Sequence, residues 1–127
     1  AQYQCQQCNK LQDASREASV SSAPPRALAV QILRFRNGRS GRMKLKRFVE
    51  FSEHISFSGS QYVLVAVVEH EGEFGSGHYR AYVLESEGMW TERDDSKVTR
   101  LPFDVVKKKQ AYLCFYVRED SIVAAVE

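Results

Sequence analysis

His78 opens the run HYRAYVLE, and Asp94 follows sixteen residues later inside WTERDD, with one turn-forming stretch, EGMW, between them. Two adjacent antiparallel strands joined by a turn can set such positions opposite each other. An imidazole whose Nδ1 proton is held by a carboxylate keeps Nε2 free to act as a base. By residue type alone, a solvated histidine beside a turn is the plainer alternative. Thiols are the other reactive groups. Cys5 and Cys8 form a CxxC, and Cys114 lies within the apolar run AYLCFYV. A CxxC supplies two ligands, whereas a structural zinc takes four. His54 and Cys114 lack the spacing of a second knuckle, so a closed zinc site within this chain is not expected.

Ahead of His78 stands EHEGEFGSG, where Gly72, Gly75 and Gly77 fall within six residues. Glycines let a backbone approach a ligand closely and change shape around it. The elements that must hold this loop and the His/Asp pair read as strands. YVLVAVVEH is β-branched, aromatic and apolar on both faces, the strongest strand signal in the chain. In RALAVQILRF, Leu28, Val30 and Ile32 share one face at period two, predicting a largely buried strand over residues 27–35. Asn37-Gly38 predicts a turn, and the phase change from Leu45 to Phe48 predicts a bulge near Lys46 and Arg47. REASVSS alternates weakly and reads as a further strand that APP would end. LPFDVVKKK suits a short helix after its proline, and AYLCFYV a buried closing strand. The tail, residues 119–127, reads as either a short helix or disorder. Around six strands with little helix predict a β-dominated α+β fold with antiparallel neighbours.

The totals bound the function. A length of 127 residues suggests one domain or a piece of one. With 43% hydrophobic and 27% charged residues the composition is that of a soluble globular chain. No apolar run approaches the roughly 20 residues of a membrane span, and no signal-peptide pattern opens the chain. Three cysteines make no even disulfide framework, which favours a reducing, intracellular setting in cytoplasm or nucleus. Residues 34–47, RFRNGRSGRMKLKR, carry seven basic and no acidic side chains. Without an aromatic stacking platform this reads as a solvated hairpin flank rather than a nucleic-acid surface.

Taken in order over residues 3–117, five motifs resemble the C-terminal half of the catalytic domain of ubiquitin-specific proteases, the papain-like deubiquitinases. YQCQQC resembles the second CxxC of that family's fingers ribbon, and PRALAVQILRF its strand ending in an Arg-Phe pair. YVLVAVVEHEGEFGSGHYRAYV resembles its histidine box, MWTERDDSKV its aspartate box, and AYLCFYV its closing strand. The resemblance implies an antiparallel palm sheet with part of a zinc-ribbon fingers segment at the N-terminus, over residues 1–118.

It also implies roles. His78 would be the general base, Asp94 the residue that orients it, and Asp95 a supporting polar group. Residues 37–42 resemble a shortened first blocking loop and residues 71–77 the second. Glu71, Glu73, Gly75, Gly77 and Tyr79 would then line the slot that takes the ubiquitin tail. Cys5 and Cys8 would be half of a structural zinc site completed from outside the chain; catalysis itself would need no cofactor. The family's nucleophilic cysteine and oxyanion asparagine belong to an upstream segment that nothing here matches. Cys114 reads as an inert core thiol, and Arg93 stands where the family usually carries an aromatic. The implied partners are ubiquitin, ubiquitinated proteins and the missing N-terminal half of the domain, with no membrane. The implied reaction is hydrolysis after the C-terminal glycine of ubiquitin, and the 127 residues alone would be inactive. A ubiquitin-binding pseudoprotease module is the alternative.

Overall fold

The computed structural model of the protein describes residues 2–19, 23–38 and 41–126. In chain order its elements are β1 (Gln2–Gln4), β2 (Leu11–Asp13), β3 (Ala27–Gln31), β4 (Phe35–Gly38), β5 (Gly41–Lys44), β6 (His54–Phe57), β7 (Ser60–Glu71), β8 (His78–Leu84), β9 (Trp90–Asp94), β10 (Lys97–Leu101), α1 (Phe103–Val106), β11 (Ala111–Arg118) and α2 (Glu119–Val126). The main sheet runs β10-β9-β8-β7-β11-β3, and β6 also pairs with β7. Every pairing in it is antiparallel. The hairpins β1–β2 and β4–β5 form two small separate sheets. The fold is therefore β-dominated and antiparallel, as the many strand-forming runs and their short connections predict.

The twelve-residue β7 organises the main sheet. One edge pairs with β11; along the other, β6 pairs near the start and β8 from Ala66 to Glu71. Tight turns set the registers. Ser58 and Gly59, both at positive φ (49° and 81°), join Phe57 to its partner Ser60, the geometry that two-residue hairpins need. Opposite β11, Leu64 pairs with Tyr116 and Ala66 with Phe115, so Val65 is an extra residue in β7. Such a bulge changes which side chains face inward. Tyr62 and Leu64 are buried before it, and Val67 and Glu69 after it.

The buried apolar set is Tyr62, Leu64, Val67, Tyr82, Trp90, Val106, Ala111, Cys114 and Tyr116. One turn of helix, α1, closes it: Val106 is fully buried and the Phe103 ring lies 5.5 Å from that of Trp90. A cation is buried with this set. Arg34, 1% exposed, donates from Nε to the carbonyl of Ala111 (2.6 Å) and from one terminal nitrogen to those of Leu45 (3.0 Å) and Arg47 (2.7 Å). It thereby ties the irregular stretch after β5 to the start of β11.

Several expectations are corrected. Residues 27–35 are not one buried strand. Pairing ends at Gln31 and most side chains of β3 are exposed, because β3 is the sheet's outer strand and has a partner only on its β11 side. The phase change after Leu45 is not a bulge but the end of a strand: β5 stops at Lys44 and irregular backbone follows to His54, held by Arg34. Bulges occur in the β7–β11 ladder instead. Within REASVSS, residues 16–19 are irregular, and the rest lies outside the described residues. The strand β6, in a segment with no clear period, was not expected. The tail is helical through Val126, with Glu119 3.5 Å from His54.

Replacing Arg34 by methionine keeps an apolar stem but strands three carbonyls. Charged hydrogen bonds of this kind contribute roughly 1.5–3 kcal/mol each, and orphaned acceptors add a penalty. Arg34→Met should therefore lower the unfolding free energy by about 3 kcal/mol or more. Urea titration checks this: the midpoint should fall with the slope unchanged.

Candidate active site

Three strands meet at the site. β8 begins with His78, β9 ends with Asp94, and Glu71 at the end of β7 is the register partner of His78. The turn after Asp94 has only two residues, since Asp94 pairs with Lys97. Asp95 occupies it at φ 53°, a left-handed conformation that aspartate tolerates better than most residues.

His78 Nε2 lies 2.5 Å from Asp94 Oδ1. The pair expected between His78 and Asp94 is thus present, but through the other ring nitrogen and in a diagonal, not opposite, arrangement. The reason is register. Tyr82 pairs with Glu92, so two residues further Asp94 stands level with Arg80. His78 lies one diagonal step away, a separation long side chains can bridge, and only the far end of its ring reaches the carboxylate. Nδ1 is left without a partner among the described residues.

Asp94 has a second partner. Its Oδ2 accepts from Arg80 Nε at 3.1 Å, and Arg80 also pairs with Glu71. The charges alternate along one sheet face: Glu71, Arg80, Asp94, His78. The hydrogen bond to Asp94 holds the His78 pKa above its ordinary 6.5, with smaller contributions from the charges of Asp94 and Asp95. The hydrogen bonds from His78 and then Arg80 hold Asp94 below its ordinary 3.8. Asp95 is exposed, and the three groups offer ligand-type atoms within 4.8 Å of one another.

The loop between β7 and β8 is gripped rather than loose. Phe74 lies edge-on to Phe35 at 5.4 Å, with the Arg42 guanidinium 4.8 Å over its ring, and Glu73 pairs with Lys46. The β4–β5 hairpin therefore holds the loop from outside. His70 anchors it from inside: buried, edge-on to Phe35 (5.3 Å) and Tyr79 (4.8 Å), with its carbonyl accepting from the buried Lys44 at 2.5 Å. Burial, and then the Lys44 charge, push the His70 pKa down. Gly77 packs so tightly on His70 that a Cβ there would fall 2.1 Å from Nε2. Gly75, at φ 81°, has open space where a Cβ would be. Tyr79, half exposed, faces His70 and Tyr112 on the side of the sheet away from Asp94. Glu71 and Glu73 are thus held by basic side chains, and Gly77 and Tyr79 by His70.

A sequence model described as ubiquitin carboxyl-terminal hydrolase matches residues 1–116 of the chain. The chain belongs to the ubiquitin carboxyl-terminal hydrolase family. It is 36% identical to ubiquitin carboxyl-terminal hydrolase 23 of Arabidopsis thaliana, over 92% of this chain and 14% of that protein. It is 32% identical to ubiquitin carboxyl-terminal hydrolase 8 of Saccharomyces cerevisiae, over 90% of this chain and 28% of that protein. Among solved structures, a chain of a SAGA DUB module bound to monoubiquitin superimposes with a TM-score of 0.78 at 32% identity, covering 92% of this chain and 28% of that one. Another, bound to ubiquitin aldehyde, gives 0.76 at 30% identity, covering 94% and 30%. The chain thus spans less than a third of these relatives. Ubiquitin-specific proteases, the resemblance read from the motifs, are the relatives found.

Cys114, 2% exposed in β11, has its thiol pushed up to about 11 by burial, which keeps it protonated and inert. Cys5 and Cys8 sit in the turn of the β1–β2 hairpin, and hydrogen bonds from Cys8 and Gln7 hold the Cys5 pKa below its ordinary value. Those two thiols have no third metal-ligating neighbour among the described residues, so their donor set is two short of a zinc site. Arg93 lies on the opposite face from Asp94 and pairs with Glu85 at 2.6 Å, leaving Asp94 undisturbed. Arg80 is the residue that sequence reasoning missed. Its signal was its position two after His78, which puts both on one face of a strand.

The dyad carries a pH signature. His78, with its pKa raised in the folded state, adds stability that is complete below 6.5 and lost as pH rises through the folded value. Asp94, lowered, adds stability that is complete above 3.8 and lost as pH falls through its folded value. The stability difference between wild type and Asp94→Asn should peak between those limits. Above them it should shrink to the part Arg80 maintains. Ring resonances of His78 should titrate at lower pH in Asp94→Asn. Separately, Gly77→Ala should displace the His70 ring, seen as loss of its NOE contacts to Tyr79.

Proposed function

We propose that this chain supplies the acid–base half of a ubiquitin-specific cysteine protease, which hydrolyses isopeptide or peptide bonds after the C-terminal glycine of ubiquitin. The observation that carries it is the 2.5 Å contact of His78 Nε2 with Asp94. By accepting from Nε2–H, Asp94 fixes the tautomer whose Nδ1 lone pair is free. A cysteine thiol from outside these 127 residues would give its proton to Nδ1. The thiolate then attacks the glycine carbonyl; the C–N bond breaks as Nδ1–H protonates the departing lysine amine, leaving an acyl-enzyme. Water, deprotonated by the same nitrogen, releases ubiquitin and the thiol. Asp94 stabilises the imidazolium at each stage. Asp95 adds negative charge nearby, and the loop carrying Glu71, Glu73, Gly75 and Gly77, with Tyr79, forms a wall of the slot for the ubiquitin tail. No step needs a metal. Cys5 and Cys8 would hold half of a structural zinc whose other ligands come from beyond the chain.

Two relatives of known structure are bound to ubiquitin or its aldehyde, which supports ubiquitin as the partner here. In a polypeptide that unites this chain with the nucleophile segment, His78→Ala should slow hydrolysis of a ubiquitin–fluorophore conjugate by roughly 10²–10⁴-fold, and Asp94→Ala by less. The 127 residues alone should give no turnover. Turnover by the isolated chain that disappears in Cys114→Ala would show that the nucleophile lies within it. Ubiquitin binding with no hydrolysis by any polypeptide carrying the chain would identify a pseudoprotease.

A further inference from the structure

We propose that Arg80 is a positioning residue for the His78–Asp94 dyad, acting through the carboxylate oxygen that the histidine does not use. This rests on the deubiquitinase reading for its consequence in catalysis, but not for its geometry. Asp94 ends a strand, next to a two-residue turn, where nothing in the backbone fixes rotation of its carboxylate. Three groups settle that rotation. His78 Nε2 takes Oδ1 at 2.5 Å, Arg80 Nε takes Oδ2 at 3.1 Å, and Glu71 holds the far end of the Arg80 guanidinium. A planar guanidinium can engage two carboxylates in fixed directions, which a point charge cannot. Arg80 and Asp94 are each about a quarter exposed at the side chain, so their contact is partly shielded from water. The strand register also requires it, because Arg80, not His78, is level with Asp94.

The sharing has an electrostatic result. The charged groups around His78 are Glu71 on β7, Arg80 on β8, Asp94 at the end of β9, Asp95 in the turn after it, and Lys97, the register partner of Asp94, on β10. The hydrogen bond to Asp94 is what raises the His78 pKa most, and Arg80 holds the carboxylate in place to make it. Arg80 thereby acts on the imidazolium through the carboxylate it orients, at a group that must both take and give a proton near neutrality.

The test uses Arg80→Gln and Arg80→Lys. In the 127-residue chain, ring resonances of His78 are followed against pH. Arg80→Gln should move the His78 half-titration downward, because the hydrogen bond to Asp94 that raises it loses its support, and Arg80→Lys should move it less. In the polypeptide that unites the chain with its nucleophile segment, Arg80→Gln should lower kcat on a ubiquitin–fluorophore conjugate by about 10- to 100-fold with KM little changed, as misorientation of a catalytic group does, and Arg80→Lys should restore part of it. A native spectrum with an unmoved His78 titration overturns the proposal, and so does an active enzyme whose kcat is unchanged by Arg80→Gln. Failure of both variants to fold makes Arg80 structural and overturns it as well. If no polypeptide carrying the chain hydrolyses the conjugate, the deubiquitinase reading fails, while the His78 titration still decides the link between Arg80 and the dyad.

Discussion

Backbone hydrogen bonding along both edges of β7 is the constraint on which the rest of the structure hangs. A buried strand must pair its amides on both sides or lose free energy at each orphaned group. β7 does so with three partners, and the order in which they take it up sets every other register. β6 occupies the start of one edge and is followed by β8, so β8 begins level with the end of β7. His78 is therefore placed across from Glu71, and the glycine loop must close within the six residues between them. The extra residue at Val65 then lets one strand serve two halves of the core, with Tyr62 and Leu64 inward before it and Val67 and Glu69 inward after it.

Polar groups finish what the sheet begins. Where the backbone departs from the ladder, buried cations take over its hydrogen bonds: Arg34 collects carbonyls from the stretch after β5 and the start of β11, and Lys44 collects the carbonyl of His70. Glu69, also buried, accepts from the Tyr82 hydroxyl at 2.8 Å and from the Gln110 amide. These bonds join β5 and the loop before β11 to the end of β7. The same end carries the loop and the dyad, so irregular backbone and reactive groups share one set of supports.

Electrostatics in this corner follow from solvent access. His70 and His78 stand on neighbouring strands, yet burial beside Lys44 pushes one down while a carboxylate pushes the other up. The first is a buried packing ring against which Gly77 lies. The second stands against Asp94, and its Nδ1 has no partner among the described residues.

What the sequence determined by itself were the features that depend on local pattern. β-branched and apolar runs set β7, β8 and β11, a proline set the start of α1, and motif order set the family and singled out His78 and Asp94. Residues with no periodic signal were not legible: β6 forms because β7 offers it an edge, and β3 is exposed because it lies last in the sheet. Tertiary structure alone decided which ring nitrogen meets Asp94, since that depends on a register offset of two residues between strands. It alone recruited Arg80, whose partners Asp94 and Glu71 are fourteen and nine residues away in the chain. It also turned a glycine loop that reads as free into one held by Phe35, Arg42 and Lys46. In each case the deciding contact is non-local, and a side chain's distant neighbours are fixed by strand pairing rather than by its own sequence surroundings.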